Sequence, residues 1–163
     1  LDTESWSHYL AMALTNLLIV AIVEEFVFRG FLQNQFEKVL PKWQSLALAS
    51  ILFGLMHLPI AIIFYEMEGL WLVYILIEWI GMGMIFGYAY QISRNIWVCI
   101  FWHGLHNVLL GTFTWRFVEF EKVPSEMVTF SVMTLGIIVY FTTTMLLLYI
   151  SRNKFKKVEL YSI

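Results

Sequence analysis

Glu24, Glu25 and Arg29 fall within one short, otherwise apolar stretch, Ile22-Val23-Glu24-Glu25-Phe26-Val27-Phe28-Arg29-Gly30. If that stretch crosses a membrane, each charge costs roughly 2.5–3.5 kcal/mol at mid-bilayer on insertion scales, so the chain is expected to use them. Two further apolar stretches carry His57 and His103, and Asn107 follows His103 at a spacing of four. Glu25 and Arg29 are also four apart and share a helix face, which lets the guanidinium hold and orient that carboxylate. Glu24 projects about 100° round the axis and is free for another task. A glutamate and a histidine that share a water can make it nucleophilic, with the glutamate as general base. A histidine and an asparagine on another helix can hydrogen-bond the oxyanion that forms when water attacks a carbonyl. Residues of these types suit acyl hydrolysis inside a membrane, above all of a peptide bond.

The elements that must position them are membrane helices. Of 163 residues, 60% are hydrophobic and 13% charged, with mean hydropathy +0.75, against about 25% charged in a soluble domain. At roughly 20 residues per span, five spans nearly fill the chain, so one all-α, polytopic membrane domain over 1–163 is expected. The spans are read at about 8–37, 44–65, 70–92, 96–115 and 127–150, with Pro59 in the second as a kink. Lys38, Lys42, Arg94, Arg152, Lys154, Lys156 and Lys157 fall on one side of this arrangement, whereas the other side has only Arg116 and Lys122 among seven acids. The positive-inside rule then puts the C-terminus in the cytoplasm. Counted from that face, Glu24, Glu25, His57 and Asn107 lie roughly 18–20 Å deep, and His103 and Arg29 roughly 10–12 Å. The polar residues of three helices thus share one layer, which implies a cavity facing the cytoplasm. Leu1 is not Met, which leaves room for processing or for further spans upstream. No basic run suggests nucleic acid, and the single cysteine, Cys99, excludes an internal disulfide.

Other residues have plainer readings. His106 is read as structural or cavity-lining, and Phe53 as packing against the site. Glu78, alone in the third span, is read as a structural partner. Gly83 and Gly87 form a GxxxG step for close helix packing. Trp6, Trp43, Trp71, Trp97 and Trp115 stand near span ends, as interfacial belts do, and the basic tail suits contact with lipid headgroups.

Three motifs carry a resemblance to a known family. Glu24-Glu25-Phe26-Val27-Phe28-Arg29 resembles the EExxxR motif, Phe53-Gly54-Leu55-Met56-His57 the FxxxH motif, and His103-Gly104-Leu105-His106-Asn107 the HxxxN motif of the CPBP (Abi-like) family. That family covers CAAX-type prenyl endopeptidases and the related bacteriocin-processing and self-protection proteins. The resemblance extends over about 19–107. It implies an all-helical membrane fold with a catalytic cavity open to the cytoplasm. It implies that Glu24 is the activating base assisted by His57, that His103 and Asn107 support the oxyanion, and that Glu25 and Arg29 order the site. Both a metal-free glutamate mechanism and a metalloprotease mechanism are compatible with it. The metal-free form, needing no cofactor, is the leading expectation. The alternative is a zinc site with Glu24, His57 and His103 as ligands and one open position, although the chain has no HExxH helix.

The expected substrate is a prenylated protein C-terminus or a leader, signal or bacteriocin-like peptide, and the expected surroundings are the lipids of a plasma membrane. The compact length and the abundance of Ile, Phe and Leu favour a bacterial source. A second reading keeps the same cavity for binding alone, in a membrane immunity or regulatory protein. A proton-coupled transporter would be expected to show internal repeats, and the sequence has none.

Overall fold

The computed structural model describes residues 7, 10–11, 13–118, 135 and 138–152, with side chains in the fifth helix as far as Val108. No described residue is in a strand. The elements are α1 (residues 13–36), α2 (Lys42–Met56), α3 (Leu58–Ile63), α4 (Gly69–Ser93), α5 (Ile96–Val118) and α6 (Ile138–Arg152). The fifth predicted span begins before 135, in a stretch outside the described residues, as do the basic tail beyond 152 and the acidic loop after 118. The membrane reading stands on two helices that are long and apolar enough to cross a bilayer unaided, Lys42–Ile63 and Gly69–Ser93. α1 carries three charges and depends on its neighbours to bury them.

Two of the predicted spans are less regular than their sequence suggests. α1 is helical throughout, but Asn16–Val20 and Phe26–Gln33 run in wide π-helical turns on either side of Ala21–Glu25. Such turns bond i to i+5 and concentrate at functional sites. The second span, expected as one kinked helix, divides at His57 into α2 and α3, with Pro59 in the first turn of α3. Proline has no N–H to continue the ladder. The turn before it tightens, so the N–H of His57 goes to Gly54 O at 3.1 Å rather than one residue further back.

α2 and α4 pack closely because glycine lines their contact. A methyl group on Gly83 would stand 3.0 Å from the Cα of Ser50, so the backbones meet there with no side chain between them. Likewise, a methyl on Gly104 of α5 would come within 3.0 Å of the Cα of Leu17 on α1. The buried core joins Leu46 of α2, Ile85 and Phe86 of α4, Cys99 of α5 and Leu148 of α6. At the end of α4, Arg94 adopts a left-handed conformation (φ +49°) and returns its N–H to Tyr90 O at 2.8 Å. Asn95 Oδ1 then accepts the N–H of Trp97 at 2.9 Å and opens α5. Val23, Val27, Phe31, Leu55, Ile63, Ile77 and Phe101 point outward, an apolar exterior suited to acyl chains rather than water. Trp43, Trp71 and Trp97 are exposed near helix ends.

Candidate active site

Glu25 is the fixed centre of the polar cluster. It is fully buried, and its Oε1 accepts Arg29 Nη1 at 2.9 Å and His103 Nδ1 at 2.7 Å. Arg29 is buried as well, and its second nitrogen, Nη2, donates to Gly83 O at 2.9 Å. The guanidinium carbon lies 4.7 Å from the ring centre of Phe53 and 5.5 Å from that of Phe86. The buried cation is therefore met by a carboxylate, a carbonyl and two aromatic faces, the compensation that burying an ion demands. Four-residue spacing on α1 brings Glu25 and Arg29 together, as the sequence predicts.

Glu24, the neighbouring residue, points elsewhere. Its Oε2 lies 3.7 Å from His57 Nε2 and 3.7 Å from His103 Nε2 and makes no hydrogen bond within the described protein. The other nitrogen of each ring is committed. His57 Nδ1 is 2.7 Å from Phe53 O, and a carbonyl oxygen only accepts, so the Nδ1 proton is fixed there. That carbonyl is open to the ring because the tight turn before Pro59 draws the His57 backbone N–H away to Gly54. His103 Nδ1 faces a carboxylate oxygen that already accepts from Arg29, so Nδ1 carries the proton there too. In the neutral tautomers both Nε2 lone pairs are turned towards Glu24. Three acceptors thus converge on a small space, and its natural occupant is a proton donor such as water, or a cation.

Aromatic rings hold both imidazoles in place. His57 lies between Phe53 (centroids 4.8 Å) and Trp79 (4.9 Å), and His103 stacks on Phe86 at 4.7 Å and 19°. Sequence reasoning took Phe53 as packing but overlooked Trp79 and Phe86. Their signal was their place on α4 around Gly83, the residue that receives Arg29. Gln33, also overlooked, is fully buried; the available hint was its place one turn beyond Arg29 on the same helix face.

Counted along their helices, Glu24 and His103 stand at different depths, and the reach of their side chains brings Glu24 Oε2 within 3.7 Å of His103 Nε2. Asn107 stands one turn beyond His103 on α5 and half-buried, on the face its spacing predicts. His106 is directed away, stacked on Tyr140 of α6 at 5.7 Å, in keeping with a structural role. Glu78 is half-buried one turn from Tyr74, and among the described residues no ion pair joins it to the cluster.

Glu24, His57 and His103 also bear on a metal. Their donor chemistry suits zinc, and both histidines have the hydrogen-bonded Nδ1 that orients a metal ligand. Their spacing suits it less well: 3.7 Å between donors exceeds the roughly 3.3 Å that tetrahedral ligands about 2.0 Å from zinc would span. Among the described residues no group of His, Cys, Asp and Glu already forms a metal site.

Comparison with known proteins bears on the cluster as a whole. No curated protein and no solved structure matches the chain. The family model described as Type II CAAX prenyl endopeptidase Rce1-like matches residues 6–109, which contain Glu24, Glu25, Arg29, His57, His103 and Asn107. With well over half its length under that match, the chain belongs to the Type II CAAX prenyl endopeptidase Rce1-like family.

Proposed function

We propose that this protein is an intramembrane endopeptidase in which Glu24 activates a water held against His57. The observation that carries this reading is the convergence of Glu24 Oε2 with the two Nε2 atoms at 3.7 Å each. A water there would donate one hydrogen to Glu24 and the other towards His57 Nε2, leaving an oxygen lone pair for attack. As the C–O bond forms at the scissile carbonyl, one water proton passes to Glu24. When the tetrahedral intermediate collapses, the C–N bond breaks and Glu24 returns that proton to the leaving amine. The products are a carboxylic acid and an amine, and Glu24 is regenerated.

Asn107, one turn beyond His103 on α5, would supply an amide N–H to the oxyanion. His103 can join it only as an imidazolium, because its neutral tautomer leaves Nε2 without a proton; Glu25 stands at Nδ1 to pair with that cation. Arg29 fixes Glu25 and does not touch the substrate. If zinc binds, Glu24, His57 and His103 are its ligands, and it would polarise the water or the carbonyl. The substrate would be a prenylated CAAX-type tail or a leader, signal or bacteriocin-like peptide. The setting would be five spans in a bacterial plasma membrane, with the site open to the cytoplasm and the C-terminus on that side.

The test is cleavage of prenylated and unprenylated peptides by protein in nanodiscs, comparing wild type with Glu24→Gln, each with and without a zinc chelator. Wild-type cleavage that is lost in the variant and indifferent to chelator is expected. Loss on chelation with recovery on adding zinc would transfer the mechanism to the metal. In-cell function that survives Glu24→Gln would overturn catalysis in favour of a binding role in immunity or regulation.

A further inference from the structure

We infer that Gln33 is a positioning residue for this site, clamping the wide-turn stretch of α1 against α4 so that Glu24 and Glu25 meet the histidines. The inference rests on the hydrolase reading for its kinetic test and is independent of it for its spectroscopic one. Gln33 Nε2 donates to Gly87 O at 3.1 Å and lies 3.4 Å from Glu37 Oε1. One turn earlier, Arg29 Nη2 donates to Gly83 O. One turn later, Gln91 Nε2 donates to Glu37 Oε1 at 3.2 Å. All three cross-helix rungs join residues 54 apart, so they enforce a single register between α1 and α4. Beyond them, Arg94 Nη1 closes the ladder on Glu37 Oε2 at 2.8 Å.

That register governs the site because the two helices carry different halves of it. α1 brings the carboxylates, whereas α4 brings Trp79 and Phe86, which hold the imidazole rings. Between the halves lies the wide-turn stretch Phe26–Gln33, flanked by Glu25 at one end and closed by Gln33 at the other. Wide turns are uncommon, and ordinary α-helix is the default alternative. Relaxation to that form would rotate Glu24 and Glu25 about the axis relative to Gln33 and carry Glu25 away from His103. Partners outside α1 hold both ends: His103 at Glu25, and Gly87 at Gln33. Gly87 also makes the room, since a methyl group there would stand 2.8 Å from Gln33 Oε1.

Gln33→Met tests this, because it keeps an unbranched side chain of similar volume in apolar surroundings and removes only the amide. The protein would be reconstituted in nanodiscs with 15N-labelled histidine. The expected result is loss or exchange broadening of the His103 Nδ1–H resonance, while the His57 Nδ1–H resonance, whose partner Phe53 lies on its own helix, is unchanged. The thermal midpoint should stay within about 3 °C of wild type. In a protein that cleaves peptide, kcat should fall about tenfold with KM unchanged, the pattern of lost alignment rather than lost binding. Gln33→Asn, which keeps an amide but withdraws it from Gly87, should give the same His103 change and serves if Gln33→Met does not fold. An unaltered His103 resonance in either folded variant, or an unaltered kcat, overturns the inference. Absence of cleavage in the wild type would count against the hydrolase reading alone and leave the His103 resonance to decide this one.

Discussion

Adjacent glutamates with opposite surroundings should fail in opposite ways when neutralised. Glu24 is partly exposed and its Oε2 makes no hydrogen bond within the described protein, whereas Glu25 is fully buried between Arg29 and His103. Glu24→Gln removes the base and little else. Cleavage should drop by about 10²–10⁴-fold, while the thermal unfolding midpoint in detergent stays close to wild type. Glu25→Gln strips the counter-charge from a buried guanidinium, a change that costs about 3–5 kcal/mol where a buried pair loses one partner. It should therefore lower the midpoint sharply and take activity with it. A Glu24→Gln protein that unfolds as readily as Glu25→Gln would assign both residues to structure. This division of roles was legible in sequence, because four-residue spacing on a helix pairs Arg29 with Glu25 and not with Glu24. The protonated nitrogen of each histidine was not legible. It depends on which acceptor faces Nδ1, Phe53 O in one case and Glu25 in the other, and motif spacing does not encode that.

At the scale of the element, Pro59 does more than bend a span. The break it creates sends the His57 N–H to Gly54 and leaves Phe53 O for the imidazole. Pro59→Ala would let α2 run on, with the His57 N–H competing for Phe53 O. A continuous helix is no less stable, so the unfolding midpoint should hold or rise while kcat falls about tenfold through misalignment of His57. Unchanged kcat would show that the tight turn is incidental to the ring. The Gly83 contact makes a different prediction. Its missing side chain lets α4 approach Ser50 and present its carbonyl to Arg29. Gly83→Ala should cost about 1–3 kcal/mol of stability by overpacking, measured by thermal unfolding in detergent. Sequence revealed the small-residue step and the proline. It gave no sign of the wide turns in α1, because such turns carry no periodic signature and arise where packing on both sides overrides the α-helical default.

Orientation in the membrane belongs to the whole molecule and decides from which side a substrate arrives. Lys38, Lys42 and Arg94 gather where α1 meets α2 and α4 meets α5, whereas Glu66 and Glu68 occupy the turn at the far ends of α3 and α4. The ladder of Gln33–Gly87, Gln91–Glu37 and Arg94–Glu37 contacts runs from the Glu25 cluster towards the basic end, the end that the positive-inside rule would put in the cytoplasm. Two spans declare themselves by apolar length alone. α1 does not, because it carries three charges; the Glu25–Arg29 pair forms within α1 itself, and only its further partners, His103 and the Gly83 carbonyl, come from other helices. Labelling tests the orientation directly, since the native Cys99 is buried and both Lys38 and Glu68 are exposed. In intact cells a membrane-impermeant maleimide should modify Glu68→Cys and spare Lys38→Cys, and permeabilisation should expose the latter. The reverse pattern would turn the molecule over, place the Glu24 cluster nearer the outer face, and remove cytoplasmic protein tails from the candidate substrates. Labelling of both positions in intact cells would mean that α1 to α4 do not span the bilayer as read, and the proposed intramembrane site would lose its setting.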